Sequence, residues 1–350
     1  MVSNGEAFLS SVDVFINFTV IATLVVFFWR GTWDLLDVFF IPANYELSLW
    51  ISLVGATTSL MILAIVQDKL NVAFAPNRTS ALGFCVVSRL HAYFVASLQV
   101  CQWRGSWGLL DLYQINHWKG WICSFVSILF LSVLGSLAQA TASPLAACHD
   151  SDKLNYFTVA LIGPITETDS YHGWLKVLSG SAFTIIVVSL SCLLLWHGVW
   201  DAMDIYVLPD DLVLSAYVSL AVSIFLALPI LTGERFVRNF CGNERINLIV
   251  RTVVEKVYIM TASLLTIAHW RGVWYLQTAW ILPNNLSVSA SISHLVGIFG
   301  LVALFVSRTA NGMSSFDDRD IYGGDPSVFA LSYISRIRTK EDELSPPVYV

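Results

Sequence analysis

Trp29-Arg30-Gly31-Thr32-Trp33 is the first of four copies of one five-residue string in this sequence. The other copies are Trp103-Arg104-Gly105-Ser106-Trp107, Trp196-His197-Gly198-Val199-Trp200 and Trp270-Arg271-Gly272-Val273-Trp274. Their first tryptophans are separated by 74, 93 and 74 residues. This spacing predicts that a unit of about 75 residues was doubled, and that the pair was then doubled again with an insert between the halves.

The composition indicates an integral membrane protein. Hydrophobic residues make up 56% of the 350 residues and charged residues only 13%, whereas soluble domains carry about a quarter charged residues. A spanning helix needs about 20 mainly apolar residues, and the eight runs that reach this length do not alternate as barrel strands do. The runs are 11–29, 47–66, 81–103, 118–140, 174–196, 212–232, 248–270 and 287–307. We therefore predict an all-α membrane protein with eight transmembrane helices in two parallel four-helix repeats, each of two two-helix units.

The distribution of Lys and Arg predicts the orientation. These residues are concentrated in the connections between spans 2 and 3, 4 and 5, and 6 and 7, and in the tail. By the positive-inside rule, both termini are expected in the cytoplasm and all four Trp motifs on the other side. The predicted regions are a first repeat at 1–140, a cytoplasmic linker at 141–173, a second repeat at 174–307 and a disordered tail at 308–350.

The Trp motif permits two interpretations. Tryptophan favours the membrane interface, and an arginine and a glycine beside it suit a staple at a helix end, followed by an interfacial turn such as 34–42. In the other interpretation, the equivalent carboxylates Asp37, Asp111 and Asp204 surround the mouth of a central cation path. Arg89 and Lys256, which lie 167 residues apart at the same depth, are candidates either for structural pairing or for transport.

No enzyme signature is present. The seven histidines include no pair spaced four apart, and no phosphate-binding glycine loop or nucleophile elbow occurs. The six cysteines lie mostly in or beside the spans and are expected to be small packing residues. We therefore expect no catalytic residues, no metal, no cofactor and no nucleic-acid partner, and membrane lipid as the general environment.

The carboxyl terminus carries two overlapping ligand patterns. Pro346-Pro347-Val348-Tyr349 has the spacing that WW domains bind, and Val348-Tyr349-Val350 has the apolar end that PDZ domains bind. The tail is therefore a candidate site for cytoplasmic partners.

The eight spans and the strings Trp29-Arg30-Gly31-Thr32-Trp33-Asp34 and Trp196-His197-Gly198-Val199-Trp200-Asp201 resemble the fuseless family of animal multi-pass membrane proteins. The resemblance covers about residues 11–307. It implies a presynaptic plasma-membrane protein that supports the placement of voltage-gated calcium channels, with a calcium channel complex as a partner. It carries no catalytic or transport residues over to this chain. The alternative function is a fourfold channel or transporter for cations or small solutes.

Overall fold

The computed structural model describes residues 11–75, 78–113, 117–145, 147–148, 150, 156–159 and 179–312. Within these residues the chain forms eight long helices, which we number in order. They are α1 Ser11–Phe39, α2 Tyr45–Ala73, α3 Ala81–Leu112, α4 His117–Leu134, α5 Ser179–Tyr206, α6 Leu212–Cys241, α7 Leu248–Trp280 and α8 Leu286–Ala303. One π-helical turn interrupts α1 at Asn17–Ile21 and another interrupts α5 at Phe183–Val188.

Seven of these helices are long and apolar enough to cross a membrane. The exception in the described part is α7, which carries charged residues along its length. Three of these are paired, because Arg271 binds Asp204 at 2.8 Å and Lys256 binds Glu255 of the same helix at 2.8 Å. Pairing of this kind lowers the cost of placing charge at membrane depth.

Three connections use the same capped turn. The side chains of Asn44, Asp211 and Asn285 each accept a hydrogen bond from a backbone N–H in the first turn of α2, α6 and α8. Such an N-cap satisfies one of the donors that a helix start leaves free. The residue three positions earlier has a positive φ in each case: 52° at Ile41, 50° at Leu208 and 45° at Leu282.

The helices pack as four close pairs: α1 with α8, α2 with α3, α4 with α5, and α6 with α7. The Trp motifs lie on α1, α3, α5 and α7, and these four helices also contact one another. The motif helices therefore form an inner ring, and each is backed by one outer helix. The contact between α7 and α1 closes this inner ring, and α8 packs on α1 as its outer helix.

Two short segments enter the bundle at the end where α4 and α8 finish. Each contains a 3₁₀ turn, Leu137–Ala140 after α4 and Ser307–Asn311 after α8. Leu137, Ala140 and Ala310 are fully buried. We call these two turns the docked segments.

Asp150 joins the region after α4 to the segment after α8. Its buried carboxylate accepts hydrogen bonds from the Ser307 backbone N–H at 2.8 Å, the Ser307 hydroxyl at 2.7 Å and the Tyr156 hydroxyl at 2.9 Å. Burial among these groups raises the pKa of Tyr156, with Asp150 as a second cause. The described parts of the predicted linker and the first tail residues therefore pack on the bundle.

The prediction that the Trp motifs stand at helix ends is wrong. The motif helices continue past the last motif residue to Phe39, Leu112, Tyr206 and Trp280. The predicted interfacial turn at 34–42 is accordingly helical up to Phe39. The glycine does not break the helix, because its missing side chain is used for a close helix–helix contact.

Candidate functional site

The eight motif tryptophans form two stacked layers around the axis of the inner ring. Trp29, Trp103, Trp196 and Trp270 form the first layer, in which neighbouring ring centroids are 5.8, 5.6, 5.2 and 5.2 Å apart. The second layer consists of Trp33, Trp107, Trp200 and Trp274, at 6.3, 5.9, 6.0 and 5.8 Å. Neighbouring rings are close to perpendicular in both layers, which is a favoured aromatic geometry.

A spacing of four residues explains the two layers. Positions i and i+4 lie on one face of a helix, one turn apart. Each motif therefore directs both of its tryptophans toward the axis, the first into one layer and the second into the next.

The first layer is fixed to the segments that follow α4 and α8. The indole N–H of Trp29 donates to the Ala310 carbonyl at 2.8 Å, that of Trp196 to the Ala140 carbonyl at 2.9 Å, and that of Trp270 to the Ser143 carbonyl at 2.6 Å. These bonds satisfy buried indole donors and backbone acceptors at the same time.

The motif glycine is the contact point between each inner helix and its outer helix. A Cβ at Gly105 would lie 2.7 Å from the Leu49 carbonyl oxygen and from the Leu53 backbone nitrogen. A Cβ at Gly272 would lie 2.9 Å from the Ala216 carbonyl oxygen. Small residues of this kind let helix backbones approach closely in membranes.

The motif arginine binds an aspartate of the preceding copy. Arg104 Nε donates to Asp37 at 2.7 Å, and Arg271 Nε donates to Asp204 at 2.8 Å. In the third copy, His197 Nε2 lies 2.9 Å from Asp111. In the fourth copy the position equivalent to these aspartates is Thr278. Arg30 therefore has no aspartate at that position and pairs with Asp34 of its own helix.

Serine pairs on the outer helices complete the arginine sites. Arg104 donates to Ser52 at 3.0 Å and to Ser48 at 3.1 Å, and Arg271 binds Ser219 and Ser215 at 2.6 and 2.8 Å. Arg30 donates to Ser289 and Ser293 at 3.2 Å and pairs with Asp34 at 3.2 Å. Three buried guanidiniums thus fix an inner helix to an outer one.

An axial cavity of about 360 Å³ lies within this arrangement. All eight motif tryptophans line it, together with Tyr45, Gly108, Asp111, His197, Asp201, Asp204, Tyr275 and Gly312. The aspartates lie at the end that the second layer faces, and the Asp111 side chain is 59% exposed. Gly312, which follows the second docked segment, lies at the opposite end beside Trp29.

The structure brings some of the predicted ion-facing residues together and separates others from them. Asp111 and Asp204 line the cavity, whereas Asp37 is bound to Arg104. Arg89 lies 3.7 Å from Asp150, and Lys256 pairs with Glu255. Neither basic residue lines the axial cavity. In the described residues no group of three or more His, Cys, Asp or Glu could hold a metal ion.

Sequence reasoning missed the serine pairs and Asp201. The serines had a visible signal, because they stand six and ten residues after Pro42, Pro209 and Pro283. Asp201 bonds to His117 at 2.8 Å, and no local pattern indicates that partner. The tail residues Pro346, Pro347, Val348, Tyr349 and Val350 lie outside the described residues.

Comparison with known proteins gives one match. The model of the family described as Fuseless matches residues 8–310. No curated protein and no solved structure matches the chain.

Proposed function

The chain belongs to the Fuseless family, and we propose from that membership that it is a plasma-membrane protein that organises presynaptic complexes. In this role it supports the placement of voltage-gated calcium channels and therefore synaptic transmission. On this proposal α1 to α8 all span the membrane, as two parallel four-helix repeats, and both termini are cytoplasmic. The equivalent Trp layers, arginine sites and capped turns of the two halves support the repeat organisation.

The observation that favours an organiser over a pore is the filled end of the bundle. Leu137, Ala140 and Ala310 are fully buried there, and three first-layer indoles are bonded to backbone carbonyls of this region. An ion path along the axis would require these segments to leave and three buried indole donors to lose their acceptors. Each unsatisfied buried donor costs about 1–3 kcal/mol.

The carboxyl terminus is the proposed attachment point. Pro346-Pro347-Val348-Tyr349 suits a WW domain, and Val348-Tyr349-Val350 has the alternating apolar pattern that a PDZ groove binds. A cytoplasmic tail with these patterns would connect the membrane bundle to a channel complex.

The test is calcium-channel clustering at release sites in neurons that carry a variant chain in place of the original. Removal of residues 345–350 is expected to reduce clustering while the protein still reaches the membrane. One alanine added after Val350 prevents binding to a PDZ groove and leaves the PPxY pattern intact. Pro347→Ala removes the PPxY pattern and leaves Val348-Tyr349-Val350 intact. Normal clustering in the deletion variant would contradict attachment through the tail.

The axial cavity with its carboxylates favours a second candidate, a carrier or channel for cations. Proteoliposomes that contain the purified chain would then show cation flux that Asp111→Asn and Asp201→Asn reduce. These two residues are preferable to Asp37 and Asp204, because the latter bind Arg104 and Arg271 and their loss would disturb the fold. Flux no greater than that of empty liposomes, across several cations, would exclude this candidate.

A further inference from the structure

The second Trp layer has the dimensions of an aromatic cage. Its ring centroids lie 5.8 to 6.3 Å apart around a square. A group on the axis is therefore about 4 Å from each centroid, well inside the roughly 6 Å range of a cation–π contact, for which Trp is the best partner. We propose that this cavity binds a small alkylated ammonium ion. This binding site is independent of the proposed attachment through the tail.

The charges around the cavity favour a cation. Five carboxylates pair with side chains at this end of the bundle, whereas only three of their partners are guanidiniums. The five are Asp34, Asp37, Asp111, Asp201 and Asp204. The partners of Asp111 and Asp201 are His197 and His117, which carry no fixed positive charge. These five pairs therefore contain five carboxylates and only three fixed positive charges.

One of the two carboxylates without a guanidinium partner results from the departure of the third copy from the motif, and the other, Asp201, pairs with His117, which lies outside the motif. Arg104 and Arg271 each place a permanent cation on the aspartate of the preceding copy. His197 occupies the same position against Asp111. Asp111 and Asp201, both of which line the cavity, are therefore the carboxylates that can attract a ligand.

The lining is unsuited to the other ligand classes. An anion would meet the carboxylates of Asp111, Asp201 and Asp204. Four of the eight indole N–H groups, those of Trp29, Trp196, Trp200 and Trp270, already donate to protein oxygens. Hard metal cations prefer about six to eight oxygen ligands, and the lining is mainly aromatic. A volume of about 360 Å³ falls within the usual range for small-molecule sites.

The experiment is a binding titration of the full chain in nanodiscs that contain only phosphatidylglycerol. Choline is the probe, and its neutral carbon isostere 3,3-dimethyl-1-butanol is the matched comparison. The readouts are calorimetry and intrinsic fluorescence, since eight of the thirteen tryptophans line the cavity. We expect choline to bind saturably and the alcohol to bind at least tenfold more weakly. A factor of about ten is what the loss of a desolvated cation–π interaction should cause.

Three variants locate the site. Asp111→Asn keeps the shape and removes one charge, and is expected to weaken choline binding about tenfold. Trp107→Leu is expected to weaken it about three- to thirtyfold. His197→Arg restores the residue of the other three copies and neutralises Asp111, so it should weaken binding about tenfold or more while the protein stays folded.

Matched controls are Asp210→Asn and Trp118→Leu, because both residues are exposed and neither lines the cavity. These variants should bind choline as the unchanged protein does. Nanodiscs that contain phosphatidylcholine distinguish two sources of the ammonium group. If the natural ligand is a lipid headgroup, phosphatidylcholine occupies the site and the choline signal is lost. If the natural ligand is a free solute, the choline signal is retained. Absence of saturable choline binding, or equal binding of the neutral alcohol, would overturn the proposal.

Discussion

Substitution of Gly105 by alanine tests whether the motif glycine sets the distance between an inner and an outer helix. The new Cβ would lie 2.7 Å from backbone atoms of Leu49 and Leu53, whereas ordinary contacts begin at 3.4 Å. Backbone atoms cannot rotate away, so α3 and α2 must separate by about 0.7 Å. Such overpacking costs about 1–3 kcal/mol.

The separation also affects Arg104, the residue directly before Gly105 on α3. Its hydrogen bonds to Ser52 and Ser48 are 3.0 and 3.1 Å long, and a shift of this size takes both beyond hydrogen-bonding distance. Each lost bond costs about 1 kcal/mol, while alanine returns up to about 1 kcal/mol of helix propensity. We expect Gly105→Ala to lower the free energy of unfolding by about 2–4 kcal/mol.

The assay is reversible unfolding in mixed micelles, followed by tryptophan fluorescence and circular dichroism. Gly55→Ala is the matched control on α2, because a Cβ there meets nothing within 4 Å. It should leave stability unchanged or raise it by up to about 1 kcal/mol. Equal stability of the two variants would refute the close-contact role of the motif glycine.

Three further predictions follow from the same packing. Arg104→Gln and Asp37→Asn should each destabilise the fold, and the double variant should lose less than the sum, with a coupling of about 0.5–3 kcal/mol in a double-mutant cycle; additive losses would contradict a direct pair. Asp150→Asn should increase amide hydrogen exchange at 137–145 and 307–311 while the Trp layers stay protected, because it weakens charge-assisted bonds worth about 1.5–3 kcal/mol each; unchanged exchange would contradict its joining role. With the native cysteines replaced, a cysteine at Asp210 should react with an impermeant maleimide outside the cell and one at Arg78 should not, and the opposite pattern would reverse the proposed orientation.

The sequence was sufficient to predict the class of fold and to identify which residues occupy equivalent positions in the four motif copies. Long apolar runs without alternation specify helices in a membrane, because buried backbone groups must bond within each helix. The four Trp motifs are visible as strings, and the spacing of four between Trp29 and Trp33 already places both rings on one helical face. The sequence-based placement of the motif at a helix end failed because the apolar runs stop at the first tryptophan of each motif, whereas α3 continues past Gly105 to Leu112 and pairs the motif arginine inside the bundle.

The equivalent positions of the candidate site residues could be predicted from the sequence, but their pairing could not. The shared positions of Asp37, Asp111 and Asp204 were visible, but the partners of Asp37 and Asp204 were not. Asp37 binds Arg104, which is 67 residues away, and Arg30 binds Ser289, which is 259 residues away. Contacts over such distances depend on the order of helices around the axis.

Sequence by itself therefore determined the helices, their apolar character and the face on which each tryptophan lies, since these follow from residue type and local spacing. Tertiary structure decided that α7 closes the inner ring on α1, that segments after α4 and α8 fill one end, and that the motif tryptophans enclose a cavity. The physical reason is that side-chain direction is set within one helical turn, whereas neighbours across the bundle are selected by the packing of the whole chain.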